Sequence, residues 1–135
     1  MSNIFLDSNI CVYWLDKSDP AKQDKALLLL KHKPFISSQV IIETYLACSR
    51  KLKLPSAICD ENTLVLCDAT TLAPIDSSVF STALGLKDKY QFSFLDSTII
   101  ASALEAGCTT LYSEDMQHGQ LIEGKLKIVN PFIIV

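Results

Sequence analysis

The sequence has little glycine, little proline and only one arginine. Four glycines and five prolines in 135 residues leave no stretch that is typical of a flexible linker or a low-complexity tail. The arginine is Arg50, and the formal net charge is −3. Because proteins that hold nucleic acid by charge alone are usually basic, this balance disfavours simple electrostatic binding of nucleic acid.

The sequence also lacks the cysteine spacings of a disulfide framework or a zinc ribbon. The number of cysteines is odd, and no C-x-x-C pair occurs. They are Cys11, Cys48, Cys59, Cys67 and Cys108. Most have apolar neighbours, where cysteine acts as a small hydrophobic residue. Free thiols are typical of a reducing compartment, so we expect a cytoplasmic protein.

Long apolar runs are missing as well. No run approaches the length of about 18 residues that indicates a transmembrane helix, and the first residues lack the basic and apolar regions of a signal peptide. We therefore expect no membrane partner. The chain is 49% hydrophobic and 20% charged, which is typical of a compact globular protein. Its length of 135 residues predicts a single domain over residues 1–135.

Short apolar runs alternate with longer helix-like stretches along the chain. The predicted strands are NIFLD (3–7), PFIS (34–37), TTLAPI (70–75), TTLYS (109–113) and LKIVNPF (126–132). The predicted helices cover 8–15, 20–33, 39–53, 56–69, 76–90 and 94–107. Ser38 and either Asp76 or Ser77 are expected N-caps, and Gly107 is expected to end the last helix. The alternation favours an α/β domain with a mostly parallel sheet covered on both faces.

Four acidic residues stand beside apolar residues rather than in polar surroundings. Asp7 ends the first strand, and Asp115 follows the strand TTLYS. Glu43 shares a helix face with Val40 and Ala47. Asp96 shares its face with apolar residues too, namely Ile99, Ile100 and Ala103. Carboxylates in such places need a partner or a function, because acids are almost never fully buried unless they are paired.

The predicted fold brings these four acids to one edge. The ends of parallel strands and the starts of the following helices lie at the same edge of the sheet. Two negative charges about 4 Å apart repel by about 4 kcal/mol at an effective dielectric constant of about 20, so a cation is expected among them. Carboxylate oxygens suit Mg²⁺ or Mn²⁺, which can bind phosphate and activate water.

Each acid also has a purely structural interpretation. Asp7 and Asp96 could cap the helices that begin near them. Glu43 could pair with a buried basic residue, and Asp115 could be an ordinary turn residue. The functional interpretation depends on the four acids occurring together.

The acids, in this order, resemble those of PIN-domain ribonucleases, especially VapC-like toxins of prokaryotic toxin–antitoxin pairs. IFLDSNI resembles the first strand of that family with its D-x-N pattern, and SSQVIIETYLA resembles the segment that carries its glutamate. The most specific part is FSFLDSTIIASALEAGCTTLYSED, which resembles the third acid on its helix, a following strand and the S/T-x-D turn. The resemblance spans essentially the whole chain.

The resemblance implies a PIN-like three-layer α/β/α domain, with a mostly parallel sheet of about five strands, that cleaves RNA endonucleolytically. It implies that Asp7, Glu43 and Asp96 bind Mg²⁺ or Mn²⁺, directly or through water, and that Asp115 completes the site or helps a second ion. Ser8, Asn9 and Ser113 would hydrogen-bond these ligands or contact the substrate. Glu114 lies where the family varies and is not expected to be a ligand.

The resemblance also implies partners, and other functions stay open. We expect an RNA substrate, a cognate antitoxin and a homodimer formed through the apolar helices ALLLL or VIIETYLA. Arg50, Lys51 and Lys53 form the densest basic segment and could contact RNA phosphates, although a solvated helix end explains them equally well. One alternative is a catalytically silent PIN-like module that binds RNA or protein. Another is a haloacid-dehalogenase-like phosphatase, whose D-x-D motif would here be D-x-N.

Overall fold

The computed structural model of the protein describes residues 3–133, which form six strands and six helices; two helices follow each of the first three strands, and three strands come last. The strands are β1 (Ile4–Leu6), β2 (Phe35–Ser37), β3 (Thr71–Ala73), β4 (Thr110–Tyr112), β5 (Leu121–Ile122) and β6 (Leu126–Val129). The helices are α1 (Ser8–Leu15), α2 (Pro20–Leu30), α3 (Ser38–Arg50), α4 (Ser56–Ala69), α5 (Ser77–Tyr90) and α6 (Phe94–Glu105).

All six strands form one sheet in the order β3-β2-β1-β4-β6-β5. Every neighbouring pair is parallel except β5 with β6. The predicted α/β fold with a mostly parallel sheet is confirmed. The sheet has six strands rather than about five, because β5 is a two-residue strand that returns antiparallel to β6. A strand this short has no alternation of apolar and polar residues that a sequence pattern could detect.

The strand order reverses direction at the centre of the sheet. From β1 the chain continues to β2 on one side, whereas β4 pairs with β1 on the other side. Leu6 of β1 lies opposite Tyr112 of β4, and the backbone N–H of Asp7 donates to the carbonyl oxygen of Tyr112 at 3.0 Å. In open α/β sheets, ligands bind in the crevice beyond the carboxyl ends of the strands at such a reversal. The fold therefore places Asp7 at the expected position of a site.

The core consists of the central strands and one helix that is buried along most of its length. Phe5, Leu6, Ile36, Leu111 and Ile128 are fully buried strand residues. In α6, residues 97–103 are all buried, and several of them are serine or alanine. Small side chains allow this helix to pack closely against its neighbours, which fixes the position of the acid near its start. The helix that carries Asp96 is thus held rigidly.

One predicted helix cap is wrong, and one structural alternative is not observed. Ser37, not Ser38, caps α3, because its hydroxyl oxygen accepts the N–H of Val40. The prediction failed because two adjacent serines offer equivalent acceptors and only the backbone angles distinguish them. Ser93 caps α6 and accepts the N–H of Asp96 at 3.1 Å, so the alternative that Asp96 is itself the cap is not observed.

Other predicted caps agree with the structure. Asp76 is the N-cap of α5. Asp7 is the N-cap of α1, and its Oδ1 accepts the N–H of Ser8 at 2.7 Å. Gly107 follows the end of α6 with a φ of +75°, a conformation that suits glycine. No helix within residues 3–133 combines the length and apolar character that a membrane crossing requires.

Candidate active site

Asp7 lies buried at the end of β1 and is surrounded by hydrogen-bond donors. Its Oδ1 accepts the backbone N–H of Ser8, and its Oδ2 accepts the hydroxyl of Ser113 at 2.8 Å. Ser113 is itself fully buried and accepts the N–H of Met116 at 3.3 Å. These contacts hold the carboxylate in one orientation at the reversal of the sheet. Asp7 is therefore both the cap of α1 and a fixed, buried negative group.

Asn9 connects Asp7 to Asp115, which is more than a hundred positions away in the chain. Its Nδ2 donates to Asp115 Oδ2 at 3.1 Å and to Asp7 Oδ2 at 3.4 Å. Its Oδ1 accepts the backbone N–H of Glu114 at 3.3 Å. The first turn of α1 and the turn after β4 are thus joined through one side chain. Three of the predicted residues meet here: Asp7, Asn9 and Asp115.

Glu43 projects from α3 and is half-buried. Its Oε2 accepts the amide of Gln39 at 3.2 Å, and the same amide donates to the carbonyl oxygen of Leu95 at 3.1 Å. Gln39 therefore links the acid of α3 to the residue before Asp96. Gln39 is not among the site residues predicted from the sequence. Its position four residues before Glu43 could have indicated it, because residues at that spacing share a helix face.

Asp96 lies in the first turn of α6 and is half-buried. Partial burial is the largest cause that raises the pKa of its carboxyl group; a hydrogen bond with Ser93 lowers that pKa, and the negative charges of Asp115 and Glu43 raise it. Asp96 therefore lies within electrostatic range of two other predicted acids. Its place at the start of a helix partly offsets this repulsion, because the helix dipole favours negative charge there.

The pKa of Asp7 is also raised, to about 6 from an ordinary value of 3.8. Burial is the largest cause, hydrogen bonds from Ser113 and Ser8 lower it, and the charges of Asp96 and Glu43 raise it. Within residues 3–133, no lysine, arginine or histidine forms an ion pair with any of the four predicted acids. The alternative that Glu43 pairs with a basic residue is therefore not observed in the described part of the chain.

A cleft of about 210 Å³ opens beside these groups. It is lined by Ser8, Asn9, Val12, Tyr13, Glu43, Ala47, Lys51, Glu114 and Asp115. Of the predicted basic segment, Lys51 lines this cleft, whereas Arg50 and Lys53 are exposed outside it. Of the three basic residues in that segment, Lys51 is thus the one that can contact a molecule bound in the cleft.

Glu114, which is not predicted to be a ligand, contacts two other residues beside the site. Its Oε1 accepts the hydroxyl of Tyr13 at 2.6 Å, and its Oε2 pairs with Lys22 Nζ at 2.5 Å. Burial acts to raise the pKa of Glu114, but the hydrogen bonds from Lys22 and Tyr13 outweigh it and lower that pKa. No local pattern indicates this cluster, because α1, α2 and the turn after β4 supply one residue each.

The donor set suits a hard divalent cation. Asp7, Glu43, Asp96 and Asp115 provide carboxylate oxygens, the ligands that Mg²⁺ and Mn²⁺ prefer. Burial and the neighbouring acids raise the pKa values of Asp7 and Asp96, and no basic residue of the described chain pairs with either carboxylate. Within residues 3–133, no three acidic, histidine or cysteine side chains converge closely enough to hold one ion by themselves. Such an arrangement fits an ion that uses one or two carboxylates and keeps several waters, as Mg²⁺ usually does.

Solved structures with a similar fold include a toxin and toxin–antitoxin complexes. VapC20 of Mycobacterium tuberculosis, a toxin that cleaves the sarcin–ricin loop, has a TM-score of 0.66 and 21% identity over 84% of this chain and 90% of its own. A toxin–antitoxin complex from Klebsiella pneumoniae has a TM-score of 0.72 and 19% identity over 98% and 100%. VapBC2 from Rickettsia felis, bound to a DNA fragment from its promoter, has a TM-score of 0.69 and 19% identity over 94% and 98%.

These likenesses establish the fold, which agrees with the observed sheet and helices. A search of curated proteins found no match. Residues 4–121 match the family model described as PIN domain. Since this match covers most of the chain, from β1 into β5, the protein belongs to the PIN domain family.

Proposed function

We propose that this protein is a divalent-metal-dependent endoribonuclease and the toxin of a toxin–antitoxin pair. The observation that carries the proposal is that four carboxylates lie within electrostatic range of one another near the reversal of the sheet, and that none of them pairs with a basic residue of the described chain. Membership in the PIN domain family supports it. So does the likeness to VapC20, a toxin that cleaves the sarcin–ricin loop.

The proposed roles follow from where the side chains lie. Asp7 and Asp96 would hold the ion, with Glu43 and Asp115 as further ligands or as acceptors for its waters. Asn9, Ser8 and Ser113 orient Asp7 and Asp115 through the hydrogen bonds described above. When bound, Mg²⁺ or Mn²⁺ would polarise a phosphate oxygen and an attacking water.

The RNA substrate would enter through the cleft that Lys51 and Asn9 line. A lysine at its edge can pair with a phosphate, and the bound ion would offset the protein's net charge of −3. Arg50 and Lys53, exposed on the same segment, could extend this contact along the backbone of the RNA. The scissile phosphate would then lie next to the four carboxylates.

We also propose protein partners: an antitoxin and a second copy of the chain. Two of the similar structures are toxin–antitoxin complexes, which supports an antitoxin. The two apolar helices named for a homodimer each expose apolar residues, Leu27 and Leu28 in α2 and Ile42 and Leu46 in α3. These exposed apolar residues could contact another chain. We also propose that the protein is cytoplasmic.

The silent-module alternative agrees with the same placement of the acids. No three metal-binding side chains converge in the described residues, so a site that never takes up metal would have the same arrangement. Titration calorimetry with Mn²⁺ distinguishes the two functions, because a silent module gives no binding heat. The phosphatase alternative has no support, since the chain belongs to the PIN domain family.

RNA cleavage by the purified protein tests the proposal. We expect cleavage of a pool of ribosomal and transfer RNA in Mg²⁺ or Mn²⁺, none in excess chelator, and recovery when the ion is added back. Fragments with defined ends would identify endonucleolytic cuts. Undiminished cleavage in excess chelator would overturn the metal-dependent mechanism, and heat from Mn²⁺ binding without cleavage would restrict the proposal to a binding function.

A further inference from the structure

Three residues beside the site form a closed cluster that none of the proposed catalytic roles uses. Glu114 accepts the Tyr13 hydroxyl at 2.6 Å and pairs with Lys22 at 2.5 Å. Lys22 Nζ also donates to the Tyr13 oxygen at 3.2 Å, so each member contacts the other two. The cluster joins α1, α2 and the turn that follows β4.

The aromatic ring of Tyr13 is held on more than one side. It packs edge-on against Phe132, with ring centroids 5.1 Å apart. Lys22 Nζ lies 4.6 Å from the centroid of the Tyr13 ring and 5.2 Å from that of Phe132. A lysine over both rings leaves little free aromatic face for a stacked base, so substrate stacking is a poor explanation for the cluster. The contacts of Tyr13 and Lys22 instead hold the side chain of Glu114 in place.

The backbone of Glu114 connects the cluster to the site. Its N–H donates to Asn9 Oδ1 at 3.3 Å, which directs the amide nitrogen of Asn9 toward the carboxylates. That nitrogen donates to Asp115 Oδ2 at 3.1 Å and to Asp7 Oδ2 at 3.4 Å. Without a fixed Glu114, the asparagine side chain could rotate and Asp115, which is exposed, would lose its restraint.

We propose that Lys22, Glu114 and Tyr13 are positioning residues, which set the orientation of Asn9 and through it the separation of Asp7 and Asp115. The consequence for metal binding rests on the proposed function, whereas the effect on Asn9 does not. Partners that orient metal ligands commonly change metal affinity about 10- to 100-fold when removed.

The chain contains a matched control cluster of the same three residue types. Lys89 Nζ pairs with Glu123 Oε2 at 2.6 Å, and the Tyr90 hydroxyl donates to the same oxygen at 2.8 Å. This cluster joins the end of α5 to the turn between β5 and β6, and none of its members lines the cleft. Substitutions in this control cluster change charge and surface hydrogen bonds as those in the site cluster do, but they do not involve Asn9.

The proposal predicts a different pattern from a simple charge effect. If only charge mattered, Lys22→Met would tighten Mn²⁺ binding, Glu114→Gln would weaken it, and Tyr13→Phe would leave it unchanged. If positioning matters, all three variants weaken Mn²⁺ binding about tenfold or more. The Lys22→Met variant is therefore decisive, because the two explanations predict opposite signs.

The experiment measures two properties in each variant. Mn²⁺ affinity is measured by calorimetry, and the side-chain amide signals of Asn9 are followed by NMR in the metal-free protein. We expect Glu114→Gln, Lys22→Met and Tyr13→Phe to weaken Mn²⁺ binding, shift the Asn9 signals and speed their exchange with water. Glu123→Gln and Lys89→Met should leave both properties as in the unaltered protein.

Unchanged Asn9 signals in the three site variants, or equal changes in the control variants, would overturn the positioning role. Tighter Mn²⁺ binding by Lys22→Met would overturn it in favour of a charge effect. If the unaltered protein binds no Mn²⁺, the proposed function fails. The Asn9 signals alone then decide whether the cluster positions that side chain.

Discussion

The Asp96→Asn variant is expected to cleave RNA about a thousandfold more slowly than the unaltered protein, a loss equal to about 4 kcal/mol of transition-state stabilisation. Asp96 is the acid on which the charges of Glu43 and Asp115 act, and its own charge acts on Asp7. Asparagine has nearly the same shape but supplies no charge to a cation. The backbone N–H that Ser93 caps is unaffected, so α6 should remain intact.

The matched control is Asp68→Asn. Asp68 is an exposed acid on α4, so the substitution removes one negative charge without touching the site. Rates are compared under single-turnover conditions at saturating Mg²⁺, and circular dichroism verifies that both variants fold. Activity of Asp96→Asn within a few fold of the control would remove Asp96 from the mechanism.

The Asp7→Asn variant is expected to be more stable than the unaltered protein when metal is removed. The native pKa of Asp7 is about 6 and its ordinary value is 3.8. The native state therefore holds the proton more tightly than the unfolded state, and keeping this buried group ionised above pH 6 costs about 3 kcal/mol. Asparagine removes that cost but loses an acceptor, worth about 1 kcal/mol.

This difference gives the pH dependence a definite sign. The contribution of Asp7 to stability is fully present below pH 3.8 and is lost as pH rises through about 6. In excess chelator at pH 8, we expect Asp7→Asn to melt about 6 °C higher than the unaltered protein. The gap should close toward pH 4, and Mn²⁺ should raise the melting temperature of the unaltered protein more than that of the variant.

Thermal melts across this pH range test the expectation, with Asp68→Asn as the control for loss of an exposed charge. Equal melting temperatures of Asp7→Asn and the unaltered protein at pH 8 would mean that Asp7 carries no burial penalty. A variant that is less stable at pH 8 would show that the hydrogen bonds from Ser8 and Ser113 outweigh the cost of burying the charge of Asp7.

Local sequence signals predicted the elements of the fold well. The bounds predicted for α4, 56–69, are those observed, and each predicted strand contains an observed one. These elements are defined by apolar periodicity and by nearby turn residues, which are local properties. The end of α3 was placed three residues too late, since Leu52 and Lys53 continue a helix-like composition although the helix ends at Arg50. Lys53 instead has a φ of +55°.

The sequence also predicted that the acids lie at the edge of the sheet where the parallel strands end. The stretches FLDSNI and FLDSTI both place an acid after apolar residues that anchor the backbone in the core. The first acid, Asp7, follows a strand, and the second, Asp96, lies in the first turn of a helix. Parallel strand order then brings the two toward one edge, which composition and topology rules suffice to predict.

Contacts between distant side chains could not be predicted in this way. Lys22 and Glu114 are 92 positions apart, and neither shows a local pattern that would pair them. The side-chain amide of Gln39 contacts both Glu43 and the backbone carbonyl oxygen of Leu95. The contact with Leu95 spans 56 positions. Such pairs depend on the relative placement of whole helices, which is decided by packing of the core rather than by the residues themselves.

Anomalous scattering from a crystal soaked in Mn²⁺ at neutral pH tests most directly whether Asp7 and Asp96 bind one cation. We expect one strong anomalous peak at the carboxyl edge of β1 and β4, from an ion that oxygens of Asp7 and Asp96 bind directly or through a single water. A Mn²⁺ peak elsewhere, or no peak at this edge while both carboxylates are ordered, would contradict a shared cation site.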